Sequence, residues 1–202
     1  MNNPLPLEFF LGDTRRIAQQ LLGCRLYLGG CEGRIVETEA YLQNDPASHS
    51  FHGKTPRNSA MFGPPGHAYI YQIYGVHYCL NVVTQKEGIG EAILIRGIEP
   101  LNGLPQLWEN RYGTPFPDAE QKHPSPSLYS LTNGPGKICQ AFGIQGKERN
   151  GTSFDSPDFA LSPPWGSFLE KISQGPRIGL GPQRNPDAPW RYWITGNPWV
   201  SR

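Results

Sequence analysis

Glycine and proline recur along the whole of this 202-residue chain, 24 of the first and 21 of the second. Proline breaks a helix interior and glycine weakens it, so the chain is suited to short elements and many turns rather than long helices. The two residues are spread evenly, with no low-complexity block and no period of roughly 20 to 50 residues that would signal a repeat protein. No composition break marks a boundary. Residues 1–202 are therefore expected to form one domain, and the length suffices for a well-buried core. No run approaches the roughly 20 apolar residues of a membrane span. The opening MNNPLPLEFFL lacks the basic start and long apolar core of a secretory signal. A soluble intracellular protein is expected. Cys24, Cys31, Cys79 and Cys139 are scattered, with no CxxC and no zinc-ligand spacing, which reads as reduced, buried thiols.

Local patterns divide the chain further. Residues 13–23, DTRRIAQQLLG, predict a helix capped by Asp13 or Thr14, with Ile17, Leu21 and Leu22 on one face and Gly23 at its end. Residues 24–30 and 33–42 read as strands, and 43–66 as a long loop of the kind that often carries function. Residues 67–75 and 76–84 pair as a hairpin around Gly75. Residues 91–100 form another strand, and a turn at 133–134 leads into a helix starting near Pro135. Segments 104–128 and 147–168 read as loop-rich. PRIGLG (176–181) and WRYWITGNPWV (190–200) read as final strands. The pattern describes an α+β domain with a largely antiparallel sheet.

Net charge is +1, low for a nucleic-acid binder. Distribution matters more. No acidic residue lies between Asp45 and Glu87, a span that holds Lys54, Arg57, Lys86, His49, His52, His67 and His77. After Glu170, Asp187 alone stands against Lys171, Arg177, Arg184, Arg191 and Arg202. A near-neutral chain can thus present a positive face.

Several constellations could carry chemistry. Glu37 and Glu39 in RIVETEAY fall on one face of a strand, roughly 6 to 7 Å apart, near the spacing of an inverting glycosidase pair. The same E-x-E is also common on solvent-facing strands. His49 and His52 with one of these glutamates could frame a metal site, but their spacing suits a helix rather than a proline-flanked loop. A histidine that hydrogen-bonds an anionic ligand is the better reading. The tyrosine-rich hairpin is more telling. Tyr69, Tyr71 and Ile73 share one face, and Ile70, Gln72 and Tyr74 the other. Core packing accounts for one face. A ring at the tip, Tyr74 beside Gly75, suits insertion into a base stack, and Tyr71 lower down could stack on an extruded base. NGPGK (133–137) is too short for a P-loop, but its helix start could face a phosphate.

Taken together, GRIVETEAYL (33–42), TPRNSAMF (55–62), PGHAYIYQIYGVHYCLN (65–81), ILIRGIEP (93–100), LTNGPGKICQAFGI (131–144), and PRIGLG with GNPWVS (176–201) resemble, in order, the alkyladenine (3-methyladenine) DNA glycosylase family. The resemblance implies a single compact domain with a curved, barrel-like sheet, a few helices and a protruding DNA-inserting hairpin. It implies a monofunctional enzyme that hydrolyses the N-glycosidic bond of alkylated or deaminated purines flipped out of duplex DNA. Glu39 falls on the family's general base, which activates water, and Arg96 on the arginine that helps hold that water. Tyr41 and Tyr71 match the rings that sandwich the flipped base. His49 matches the histidine at the pocket edge, and Asn81 the residue that disfavours guanine's exocyclic amino group. Tyr74 matches the minor-groove wedge. Phosphate contacts are expected from Arg57, Lys137, Arg177 and Arg184. No lysine falls where a Schiff base would form, and neither a metal nor any other cofactor is implied. The expected partner is damaged double-stranded DNA, and the expected state a monomer at the bacterial nucleoid, or nuclear in a eukaryote. Two alternatives stand beside this: a non-catalytic binder of damaged DNA, and a nucleoside or carbohydrate hydrolase that uses the Glu37/Glu39 pair.

Overall fold

The computed structural model describes residues 3–117 and 128–201. They form a single compact α+β domain: a curled antiparallel sheet, closed about half-way to a barrel, with three α-helices. Helix α1, Thr14–Gln20, starts where the Asp13 carboxylate accepts the backbone N–H groups of Arg15 and Arg16. Such a cap satisfies donors that have no partner inside the helix. The strands are β1 (Arg25–Leu28), β2 (Cys31–Tyr41), β3 (Ala68–Ile73), β4 (His77–Val83) and β5 (Ala92–Asn102), then β6 (Asp155–Ser156), β7 (Phe159–Ser162), β8 (Ile172–Gly175) and β9 (Arg191–Ile194). Their order is β3-β4-β5-β2-β1-β7-β6, with β9 pairing β2 and β8.

Strand β2 is the spine. It pairs with β5 along its length, with β1 over its first residues, and with β9 at Glu37, Thr38 and Glu39. The register against β5 slips on either side of Glu37, the mark of a bulge that bends the strand. Gly97 on β5 is required there. A Cβ on it would stand 2.9 Å from the Trp199 carbonyl oxygen and 3.0 Å from the Glu37 Cβ. The core holds the apolar side chains of β2, β4 and β5, including Ile35, Val36, Leu80, Ile93 and Ile95, and α1 covers it through Ile17 and Ala18.

Several expectations change. Segment 147–168 carries β6 and β7, the latter paired with β1, and of residues 190–200 only Arg191–Ile194 is strand. Segment 104–128 is not wholly irregular: Leu104–Tyr112 forms α2, with Leu107 and Trp108 buried. Its signals are Pro105 in the first turn and Gly113 (φ 68°) at the end, whose N–H donates to the Glu109 carbonyl. Residues 118–127 of that segment lie outside the described residues. PRIGLG is not a strand. β8 ends at Gly175, and the Ile178 N–H goes to a side chain instead of a neighbouring strand. Helix α3, Pro135–Ala141, starts where expected.

Candidate active site

The two glutamates of ETE lie on β2 and are wholly buried. Thr38 between them points the other way and donates to the Ala18 carbonyl of α1 at 2.8 Å. The reading of E-x-E as a solvent-facing pair is therefore overturned. The two acids are employed differently. Glu37 Oε1 accepts Arg191 Nε at 2.6 Å and the Ser201 hydroxyl at 2.8 Å, while Oε2 accepts the Ser201 N–H at 2.7 Å. These bonds leave it little freedom to activate water.

Glu39 lies behind the wall of a cavity of about 340 Å³, bonded to three of the residues that line it. Its Oε2 accepts the Tyr41 hydroxyl at 2.8 Å and Arg96 Nη1 at 3.3 Å, and its Oε1 accepts the Ile178 N–H at 2.8 Å. A carboxylate offers about four lone-pair sites, so one remains. Tyr41, Arg96 and Ile178 all line the cavity. Arg96 touches both acids, with Nε 3.4 Å from Glu37. Burial works against its charge, but Glu39 and Glu37 outweigh this and raise its pKa. Burial and the adjoining Glu39 charge push the Tyr41 phenol well above its ordinary range.

The opposite wall comes from the hairpin. Tyr69, Tyr71 and Ile73 on β3 face the cavity with Cys79 and Asn81 on β4. Tyr69 pairs across the ladder with Asn81, and Tyr71 with Cys79. The Asn81 amide donates to the Tyr69 carbonyl at 2.9 Å, which fixes its rotamer. Burial raises the Cys79 thiol to about 11, so it stays protonated. His49 sits at the mouth, edge-on to Tyr71 with ring centroids 4.5 Å apart, and its Nδ1 lies 2.8 Å from the Tyr69 hydroxyl. Burial, then the charges of Arg57 and Arg184, lower its pKa, so the imidazole is neutral at pH 7. Tyr74 sits at the rim, in the turn beyond β3, 89% exposed and held at φ 51°. The turn is closed by the Val76 N–H on the Ile73 carbonyl and by the Gln72 amide on the Gly75 carbonyl.

This is a buried carboxylate bonded to the lining of a ring-walled cavity that has an exposed aromatic tip at its border. The family model for methylpurine-DNA glycosylase matches residues 8–198. The chain belongs to that family. As a DNA glycosylase it acts on DNA by hydrolysing N-glycosyl bonds. Similar proteins named as 3-methyladenine DNA glycosylases come from Nitrosospira multiformis, Rhizobium etli and Methanoculleus marisnigri. The first is 46% identical over 202 residues, all of this chain and 96% of the relative. The second is 46% identical over 194 residues, 96% and 87% of the two chains. The third is 46% identical over 204 residues, 98% of each.

In this glycosylase Tyr41, His49, Tyr71, Tyr74, Asn81 and Arg96 line one cavity, and Glu39 adjoins it through Tyr41, Arg96 and Ile178. Arg184 is exposed at the rim, and Arg57 is exposed beside the hairpin, its Nη2 3.4 Å from the Gln72 carbonyl. Lys137 is half-buried and donates to Asn133 Oδ1 at 2.7 Å. Arg177 is a correction. Its side chain is wholly buried on Asp45, so it cannot reach a phosphate. The sequence assigns Tyr69 to packing, whereas it lines the cavity beside Tyr71 and its hydroxyl lies 2.8 Å from His49 Nδ1. No side-chain pattern announces the role of the Ile178 N–H. Among the described residues no group of His, Cys, Asp and Glu could hold a metal ion, and no helix is long and apolar enough to cross a membrane.

Proposed function

We propose that the chain excises alkylated or deaminated purines (3-methyladenine, 7-methylguanine, hypoxanthine and ethenoadenine) from duplex DNA as a monomeric, monofunctional glycosylase. The observation that carries this is Glu39: shielded from solvent, held by three donors, and left with one lone-pair direction beside a cavity walled by Tyr41 and Tyr71. Tyr74 enters the duplex from the minor groove and fills the vacated stack. The extruded base lies between the rings, with His49 at its edge and Asn81 limiting what fits opposite. Stacking contributes about 1 to 3 kcal/mol per base and unstacking costs a few kcal/mol, less at a damaged pair. The terms nearly balance for sound DNA, so a weakened pair tips them.

Glu39 then takes a proton from water as the oxygen attacks C1′. Its charge steadies the cation that develops on the sugar as the purine leaves, and Arg96 helps hold the attacking water. An alkylated purine such as 3-methyladenine carries a positive charge and leaves readily. Among the described residues no lysine lines the cavity, which supports a water-only mechanism without a Schiff base. The bonds that occupy Glu37 weigh against a two-carboxylate hydrolase. The test is base release from a hypoxanthine duplex, read by alkaline cleavage of abasic sites. Wild-type protein is expected to produce cleavage, and Glu39→Gln to bind the duplex without doing so. Full activity in the variant would refute the assignment, and an inactive wild type that still binds lesions would favour the non-catalytic reading.

A further inference from the structure

Two walls of the cavity come from loops far apart in sequence. One, residues 43–53, carries Ala47 and His49. The other, residues 176–185, carries Ile178, Leu180 and Arg184. Neither is part of a strand. Arg177 and Asp45 join them, and both side chains are wholly excluded from solvent. The guanidinium grips the carboxylate with two nitrogens, Nη2 donating to Oδ1 at 3.0 Å and Nη1 to Oδ2. Nη1 also donates to the Ala40 carbonyl at 3.0 Å, on the spine strand beside Glu39. The guanidinium carbon lies 4.7 Å from the centre of the Tyr41 ring and 5.0 Å from that of Trp190. Beyond the pair, Asp45 Oδ1 accepts the Ala47 N–H at 3.2 Å. One residue after Arg177, the Ile178 N–H donates to Glu39.

We infer that the Arg177–Asp45 pair is a clamp that sets the spacing of the two loops, backs the Tyr41 ring and aims the Ile178 N–H at Glu39, which makes both members positioning residues for base release. The inference rests on the reading of Glu39 as the group that activates water. Apolar residues of similar volume often match a buried ion pair in stability, so the return from this one is placement. The requirement is for arginine rather than for any cation. Only a planar fork can bind a carboxylate through two parallel bonds while lying between two rings.

The experiment compares the full chain with Arg177→Lys and Asp45→Asn by three measurements. These are single-turnover release of hypoxanthine from a duplex, binding of a duplex with a reduced abasic site, and backbone hydrogen exchange. Arg177→Lys is expected to unfold cooperatively and to bind abasic DNA as wild type does. Its base release is expected to slow about 100-fold, as for a misplacement near 1 Å. Exchange at Ile178 and across residues 44–49 is expected to quicken on the order of 10-fold, with β4 and β5 unaffected. Release at the wild-type rate overturns the clamp. So does slower release accompanied by an equal loss of abasic-DNA binding, or by faster exchange throughout the sheet. If the lysine variant does not fold, Asp45→Asn, which keeps the side chain's shape, carries the same test. A wild-type protein that releases no base from either the hypoxanthine duplex or dimethyl-sulfate-treated DNA overturns the assignment of Glu39, and the positioning role with it. An active wild type beside an unaffected variant overturns the clamp alone.

Discussion

Tyr41 does two jobs with one side chain: its ring lines the cavity and its hydroxyl holds Glu39. Tyr41→Phe separates them. Lesion binding is expected to persist, while the single-turnover rate falls about 10-fold or more, the usual worth of a hydrogen bond to a charged group. Equal loss of binding and rate would show that the hydroxyl does nothing for the chemistry. His49 gives a second test. The folded protein binds its proton less readily than the unfolded chain, whose value is 6.5. The residue therefore costs no stability above that pH and withdraws it as pH falls toward the lowered folded value. His49→Gln is expected to flatten the rise of unfolding free energy with pH over that window, as read from urea titrations. At this scale the sequence named Glu39, Tyr41, Tyr71 and Arg96, which the fold brings to one cavity and its border. It concealed Arg177–Asp45, because a cation's purpose depends on where its counter-charge lies, here 132 residues away.

Elements whose signals are local were legible: α1 from its cap, the hairpin from Gly75, and α3 from Pro135. Less so was α2, whose Gly103 and Pro105 suggest a loop until its buried face is known. PRIGLG misled because its backbone bonds serve the site rather than a ladder. The hairpin tip offers a prediction of opposite signs. A tyrosine at φ 51° is held where glycine would sit without strain. Tyr74→Gly is expected to leave the unfolding temperature no lower than that of wild type, yet to weaken binding of a lesion duplex by about 1 to 3 kcal/mol, the worth of one stacked ring. A tip that contributes only shape would lose neither stability nor affinity.

Across the molecule, charge is partitioned. Glu37 and Glu39 are matched by Arg96 and Arg191, and Asp45 by Arg177, in ion pairs shielded from solvent, while Arg57 and Arg184 are exposed. Salt screens exposed charges far more than buried ones. Raising ionic strength is therefore expected to weaken DNA binding, by about 0.9 in log–log slope per phosphate contacted. The release rate of the saturated complex should stay flat. A salt-dependent release rate would mean that the inner charges feel solvent. The architecture assigns the same division to different parts of the chain. Glu39 is fixed near the end of a strand bordered on both sides, whereas His49 and Arg184 ride on loops. On the proposed reading, changes at His49 or Arg184 that leave the Asp45–Arg177 pair and the Ile178 N–H in place would remodel which damaged bases are admitted without disturbing Glu39. A lineage could then broaden or narrow its repertoire without rebuilding the rest of the site.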